Sequence, residues 1–196
     1  MNENDIEIID GDRFPITVDQ LRELMGWSFG YEGELIAELW RAFNDRFWDG
    51  RLEPCPMFFP RSTTYGRWIG LFTANRHRKS LHIQLKHALS VRYKANVLLH
   101  EMVHQYLCES GQSTMHNDHP WCSEIMRITK ELWSVEIHAA PDSPRKIKRR
   151  SVRAQKPSAT GQPSITRQQI ATWPDSIGLS VPIHEFTDFT LQEVVQ

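Results

Sequence analysis

The sequence predicts an α+β fold, and three observations predict it. Apolar residues recur at helical spacing over residues 32–48 and again over 95–106. A third helical stripe follows over 121–132. Between the first two lie three short strand-like runs, 56–59, 66–72 and 81–85, separated by glycine, proline and polar residues. The expected order is an N-terminal helix, a small antiparallel three-stranded sheet, then two helices. At 196 residues and 40% hydrophobic content, the chain is long enough for one domain with a sizeable core and a tail.

Residues 1–30 begin acidic, with Glu3, Asp5 and Glu7, and then carry a short helix over 18–25. Gly26 and Gly30 interrupt its periodicity. The next helix, 32–48, aligns Leu35, Leu39, Trp40, Phe43 and Phe47 in a stripe read as core, and Asp49-Gly50 stops it. Helix 95–106 contains Val97, Leu98, Leu99, Met102, Val103 and Tyr106 with no intervening glycine or proline. In the last helix Trp121, Ile125, Ile128 and Leu132 form the buried stripe, with Glu124 at its edge.

Within the second long helix, His100-Glu101-Met102-Val103-His104 matches the pattern HExxH. Residues four apart are neighbours on a helix surface, so both imidazoles can face one ion. Glu101 then lies beside them, where a carboxylate that is not itself a ligand can act as general base toward a metal-activated water. Both histidines are embedded in the most apolar part of the chain, where unpaired polar rings are costly, which disfavours a merely solvated pair. A catalytic zinc usually takes three protein ligands. The downstream candidates are His116, His119, Asp118, Glu109 and Glu124. Glu109 lies on the same helix, too far along to close a tetrahedron easily, whereas Glu124 has the spacing of a thermolysin-like third ligand. The longer pattern HExxHxxGxxH is absent, because Leu107 and Ser110 occupy the Gly and last His places. With this motif the element order is zincin-like. Tyr106 and His119 are the nearby candidates for an oxyanion stabiliser, and His77, His82 and His87 are read as loop or strand-surface residues.

Residues 32–132 resemble the SprT-like (Spartan-type) zinc metallopeptidase family. The likeness rests on Leu35, Glu38, Leu39, Trp40 and Phe43 within 35–44, on Phe47, Trp48, Asp49, Gly50 and Leu52 within 46–52, and on Tyr65, Gly66, Trp68 and Gly70 within 65–70. Leu98 and Leu99 ahead of HExxH, and His116 ahead of Trp121, continue it in the family's order. The resemblance implies a metallopeptidase core over 31–140, with Zn2+ held by His100, His104 and His116 and with Glu101 catalytic. It also implies substrates among proteins bound or crosslinked to DNA. Many family members carry a Cys-rich zinc ribbon after the core, whereas no cysteine follows Cys122 here.

Composition changes after Ala140. Residues 141–169 hold Arg145, Lys146, Lys148, Arg149, Arg150, Arg153, Lys156 and Arg167 against Asp142 alone, in a chain whose net charge is −1. With Pro, Ser and Gly frequent, this reads as a flexible basic linker able to contact DNA phosphates, chiefly through Arg145 to Lys156. Residues 170–196 form an acidic tail in which Phe186, Phe189 and Leu191 can dock on the core or a partner. No run reaches a membrane span, the acidic start is unlike a secretory signal, and Cys55, Cys108 and Cys122 fit reduced thiols. An intracellular location is expected. The expected activity is that of a zinc-dependent endopeptidase acting on protein or peptide. The alternative is a nucleic-acid-associated adaptor with a structural or vestigial zinc site, against which the intact Glu101 argues, because a structural site needs no base.

Overall fold

In the computed structural model, residues 16–61, 69–75, 80–116, 118–134, 136–138, 164–166 and 180–187 are described. Thr17 starts the first helix, α1 (Val18–Trp48), through a capping box in which its side chain accepts from the Gln20 N–H and the Gln20 side chain accepts from the Thr17 N–H. Gly30 breaks α1 with φ 61 and ψ −149, a conformation essentially confined to glycine. The chain folds back there. Arg22 Nη1 lies 3.0 Å from Glu38 Oε1, whereas sixteen residues of straight helix would span about 24 Å. The fold-back presses Gly33 onto the Met25 carbonyl, which a Cβ would meet at 2.1 Å. The expected interruption is therefore at Gly30 alone, since Gly26 remains within the helix. Leu21 and Met25, in the stretch read as an N-terminal segment, belong to the core.

Asp49, at φ 54, and Gly50, at φ 69, end α1 in left-handed conformations. Asn44 then staples the turn: its side chain donates to the Leu52 carbonyl at 3.1 Å and accepts from the Leu52 N–H at 3.0 Å. Strands β1 (Met57–Phe58), β2 (Gly70–Asn75) and β3 (Ser80–Leu85) form one sheet in the order β1-β3-β2. β2 and β3 are antiparallel, but β1 runs parallel to β3, so the sheet is mixed rather than antiparallel. Strand periodicity reports which residues alternate, not which strands become neighbours, and here β3 inserts between its two predecessors. Of the expected strand 66–72, residues 69–72 are described, with β2 starting at Gly70 and continuing to Asn75; Tyr65, Gly66 and Trp68 lie outside the described residues.

Helix α2 (Val91–Glu109), capped by Ser90, is the central element and packs against α1, β2, β3 and α3 (His119–Trp133). Its residues 94–103 are all buried, polar ones included. The buried polar side chains Lys94, Asn96 and Gln105 are each hydrogen-bonded, as desolvation demands. Lys94 Nζ bonds Glu32 at 2.5 Å and the His87 carbonyl at 2.9 Å. Asn96 accepts from the Val181 N–H at 2.8 Å. Gln105 accepts from Trp40 Nε1 at 3.2 Å and donates to the Glu53 carbonyl at 2.7 Å.

Two features lie downstream. Strands β4 (Glu136–His138) and β5 (Ser164–Thr166) pair in parallel, so 164–166, inside the stretch read as flexible linker, is ordered against the end of the core. Val181 and Ile183 are buried, and Phe186 meets Phe43 edge-on at 4.9 Å, so this part of the tail docks on the core. The basic residues Arg145 to Lys156, together with Phe189 and Leu191, lie outside the described residues. Among the described residues no helix is long and apolar enough to cross a membrane.

Candidate metal centre

One turn of α2 separates His100 from His104, and the loop between α2 and α3 carries His116 to the same point. Gly111, at φ 69, lets the chain leave α2 sharply, and Gln112 N–H returns to the Leu107 carbonyl at 2.8 Å. The loop is then tied to α3. Ser113 Oγ donates to Asp118, Asp118 N–H donates to the Met115 carbonyl at 2.9 Å, and the Cys122 thiol donates to the His116 carbonyl at 3.4 Å. Trp121 forms a common wall, its ring centroid 5.2 Å from His100, 5.8 Å from His104 and 4.7 Å from His116.

The three Nε2 atoms converge, with separations of 3.1 Å for His100–His116, 3.3 Å for His100–His104 and 2.8 Å for His104–His116. Protons alone cannot satisfy this triangle. In any tautomer a ring nitrogen is either a donor or an acceptor, so among three mutual contacts at least one pairs two of a kind. One cation facing three lone pairs satisfies all of them, and tetrahedral zinc with bonds of 2.0–2.1 Å would set the nitrogens about 3.3 Å apart. The group could therefore hold a metal ion. The protonation states favour it as well. Burial first, then the neighbouring charge of His116, pushes His104 down to about 4, only partly offset by its hydrogen bond to the Thr114 backbone. Burial also lowers His116. Neutral imidazoles with free lone pairs are the form a metal takes.

Glu101 follows His100 on α2 and is buried. Its Oε2 accepts from the Phe72 main-chain N–H at 2.7 Å. Burial pushes its carboxyl up to about 8, with the Phe72 bond acting in the opposite direction. A cation in the histidine group would favour the carboxylate instead. The arrangement thus sets a buried proton acceptor next to a site for a Lewis acid.

The other candidate ligands are engaged elsewhere. Glu124 accepts from Trp48 Nε1 at 2.8 Å and pairs with Arg127 at 2.6 Å. Glu109 accepts from Gln105 at 2.8 Å. Asp118, just before α3, accepts from the Ser113 hydroxyl, and His119 Nδ1 lies 3.3 Å from Ser123 Oγ. None joins the three histidines among the described residues. Tyr106 stacks on Trp48 at 5.9 Å, on the far side of α2 from His104, which excludes it as a stabiliser of charge at the metal. His82 packs edge-on against Phe58, the His87 carbonyl serves Lys94, and Cys55, Cys108 and Cys122 form no disulfide.

Sequence reasoning missed the Phe72 amide, the Thr114 backbone contact and the wall role of Trp121. Main-chain donors leave no trace in residue type. Gly70 did leave one, because an isolated glycine in a strand marks close backbone approach. Comparison of the chain with protein families, with curated proteins and with solved structures finds no match.

Proposed function

We propose that the protein is a zinc-dependent endopeptidase with a zincin-like core. The observation that carries this reading is the convergence of His100, His104 and His116 Nε2 within 3.3 Å of one another beside the buried Glu101. Zinc bound there supplies Lewis acidity that polarises a carbonyl and acidifies water. Glu101 takes the proton of the attacking water and returns it to the departing amine, a role suited to a carboxyl whose affinity for protons is raised by burial. Trp121 and the loop through His116 hold the imidazoles, and Trp121 excludes water from their buried side. β2, an edge strand, offers main-chain groups to an extended substrate.

The substrate class rests on the resemblance of residues 32–132 to SprT-like metallopeptidases: proteins bound or crosslinked to DNA, with the basic residues Arg145 to Lys156 as the DNA contact. The test is cleavage of an unfolded protein by the full chain loaded with zinc, with and without DNA, beside Glu101→Gln. Cleavage by the wild type, stimulated by DNA and lost in Glu101→Gln, supports the proposal. Equal cleavage by the variant removes Glu101 from the reaction. DNA binding without any cleavage would replace the proposal with the adaptor reading.

A further inference from the structure

The outer edge of β2 makes two contacts with the same carboxylate. β2 lies at the margin of the sheet, with Leu71, Phe72 and Thr73 opposite Gln84, Ile83 and His82 of β3. Because the Phe72 N–H donates to Glu101 Oε2 at 2.7 Å, it points away from β3, and by alternation the amides of Leu71 and Thr73 face the ladder. Two residues earlier, Gly70 meets the same side of α2. A Cβ there would lie 2.2 Å from Val97 Cγ1 and 2.6 Å from Glu101 Oε1. Gly70 is not among the glycines with positive φ, so its backbone does not call for glycine. The approach of α2 is what excludes a side chain.

We infer that β2 is a clasp for the base: the Phe72 N–H fixes one oxygen of Glu101, and the bare Gly70 leaves room for the other. Phe72 and Gly70 are thus positioning residues that act through Glu101. A glutamate has several rotatable bonds, and the Phe72 bond together with the close approach of Gly70 holds Glu101 in one conformation. The clasp selects that conformation before substrate arrives. It also withdraws the Phe72 donor from the edge, so an extended substrate pairing with β2 must use the main-chain groups on either side of it.

This inference rests on the metallopeptidase reading for its catalytic consequence, but hydrogen exchange tests the clasp without turnover. In the full-length protein, Glu101→Ala should speed exchange of the Phe72 amide by roughly tenfold to a hundredfold, the worth of a bond to a charged acceptor. Leu71 and Thr73 should be unaffected. An unchanged Phe72 rate overturns the clasp. Replacing Phe72 by phenyllactic acid removes the same N–H while keeping the ring. That ester variant should fold and bind zinc like the wild type, while kcat falls by a similar factor and KM changes little; full kcat would overturn the positioning role.

Gly70→Ala combined with Val97→Ala separates positioning from packing. The second change removes the methyl that the new Cβ would strike, leaving the Glu101 side chain, through Oε1 and Cγ, as the group displaced. The double variant should bind zinc and lose turnover, whereas turnover equal to that of Val97→Ala alone would refute a role for Gly70. If zinc-loaded wild type cleaves nothing while Glu101→Ala still releases the Phe72 amide, the peptidase reading fails and the clasp stands.

Discussion

His116 is an exposed loop residue, yet its ring closes the triangle that His100 and His104 begin. Removing it leaves two ligands on one helix, fewer than the three that hold a catalytic zinc. His116→Ala should therefore weaken zinc binding by more than the roughly tenfold to hundredfold typical of losing an outer partner. His119→Ala should leave affinity unchanged, because His119 faces Ser123 rather than the cluster. Competition with a chromogenic chelator measures both, and equal losses would reassign the third ligand. Glu101→Gln keeps the shape of the side chain and an oxygen for the Phe72 amide while removing the proposed base. Zinc content and thermal stability should persist, while kcat should fall by about two to four orders of magnitude. His100, Glu101 and His104 were legible from spacing alone, because four residues on a helix determine a direction. His116 was not, since a loop places its side chains by contacts such as Cys122 with the His116 carbonyl, for which no local pattern exists.

Helices and turns proved more readable than pairing. The stripe Leu35, Leu39, Trp40, Phe43 and Phe47 is buried as its periodicity implied, and Asp49-Gly50 does end the helix. The parallel match of β1 to β3 could not be read, because the partner of a two-residue strand is chosen by the surface left beside β3. Likewise β4 and β5 are three residues each and distant in sequence, too short for alternation to register. Gly30 is the element-scale feature with the clearest consequence. An added Cβ would meet no atom within 4 Å, so a substitution there acts through the backbone alone. Gly30→Ala should destabilise the protein by about 1–3 kcal/mol, seen as a lower urea midpoint with an unchanged slope. Gly111→Ala also meets open space at a positive φ of 69, so it too should act through the backbone alone.

At the scale of the whole molecule, the site and the core are one structure, because α2 supplies two of the three histidines and also the central packing face. Metal binding should therefore act as folding energy, contributing about 2.7 kcal/mol when free zinc is a hundredfold above its dissociation constant. The pH dependence follows from the buried groups. In the metal-free protein the Glu101 carboxyl, raised from 4.5 to about 8, favours the folded state below its unfolded value, and that contribution is lost as pH rises toward 8. His104, lowered from 6.5 to about 4, acts oppositely: the folded state resists protonation, so its contribution is present above 6.5 and lost as pH falls toward 4. Zinc offsets the first effect by favouring the carboxylate, and it competes with protons for the imidazoles in the second range. The first trend widens the stability difference between zinc-loaded and chelator-treated protein on going from about pH 6 to about pH 8, whereas proton competition at His104 acts at lower pH, toward 4. Thermal unfolding with and without zinc across that range measures it. Glu101→Gln should flatten the metal-free curve on its alkaline side, because a neutral amide has no proton to lose. A difference that does not grow with pH, in wild type and variant alike, would mean that the cation and the buried carboxylate do not share one site.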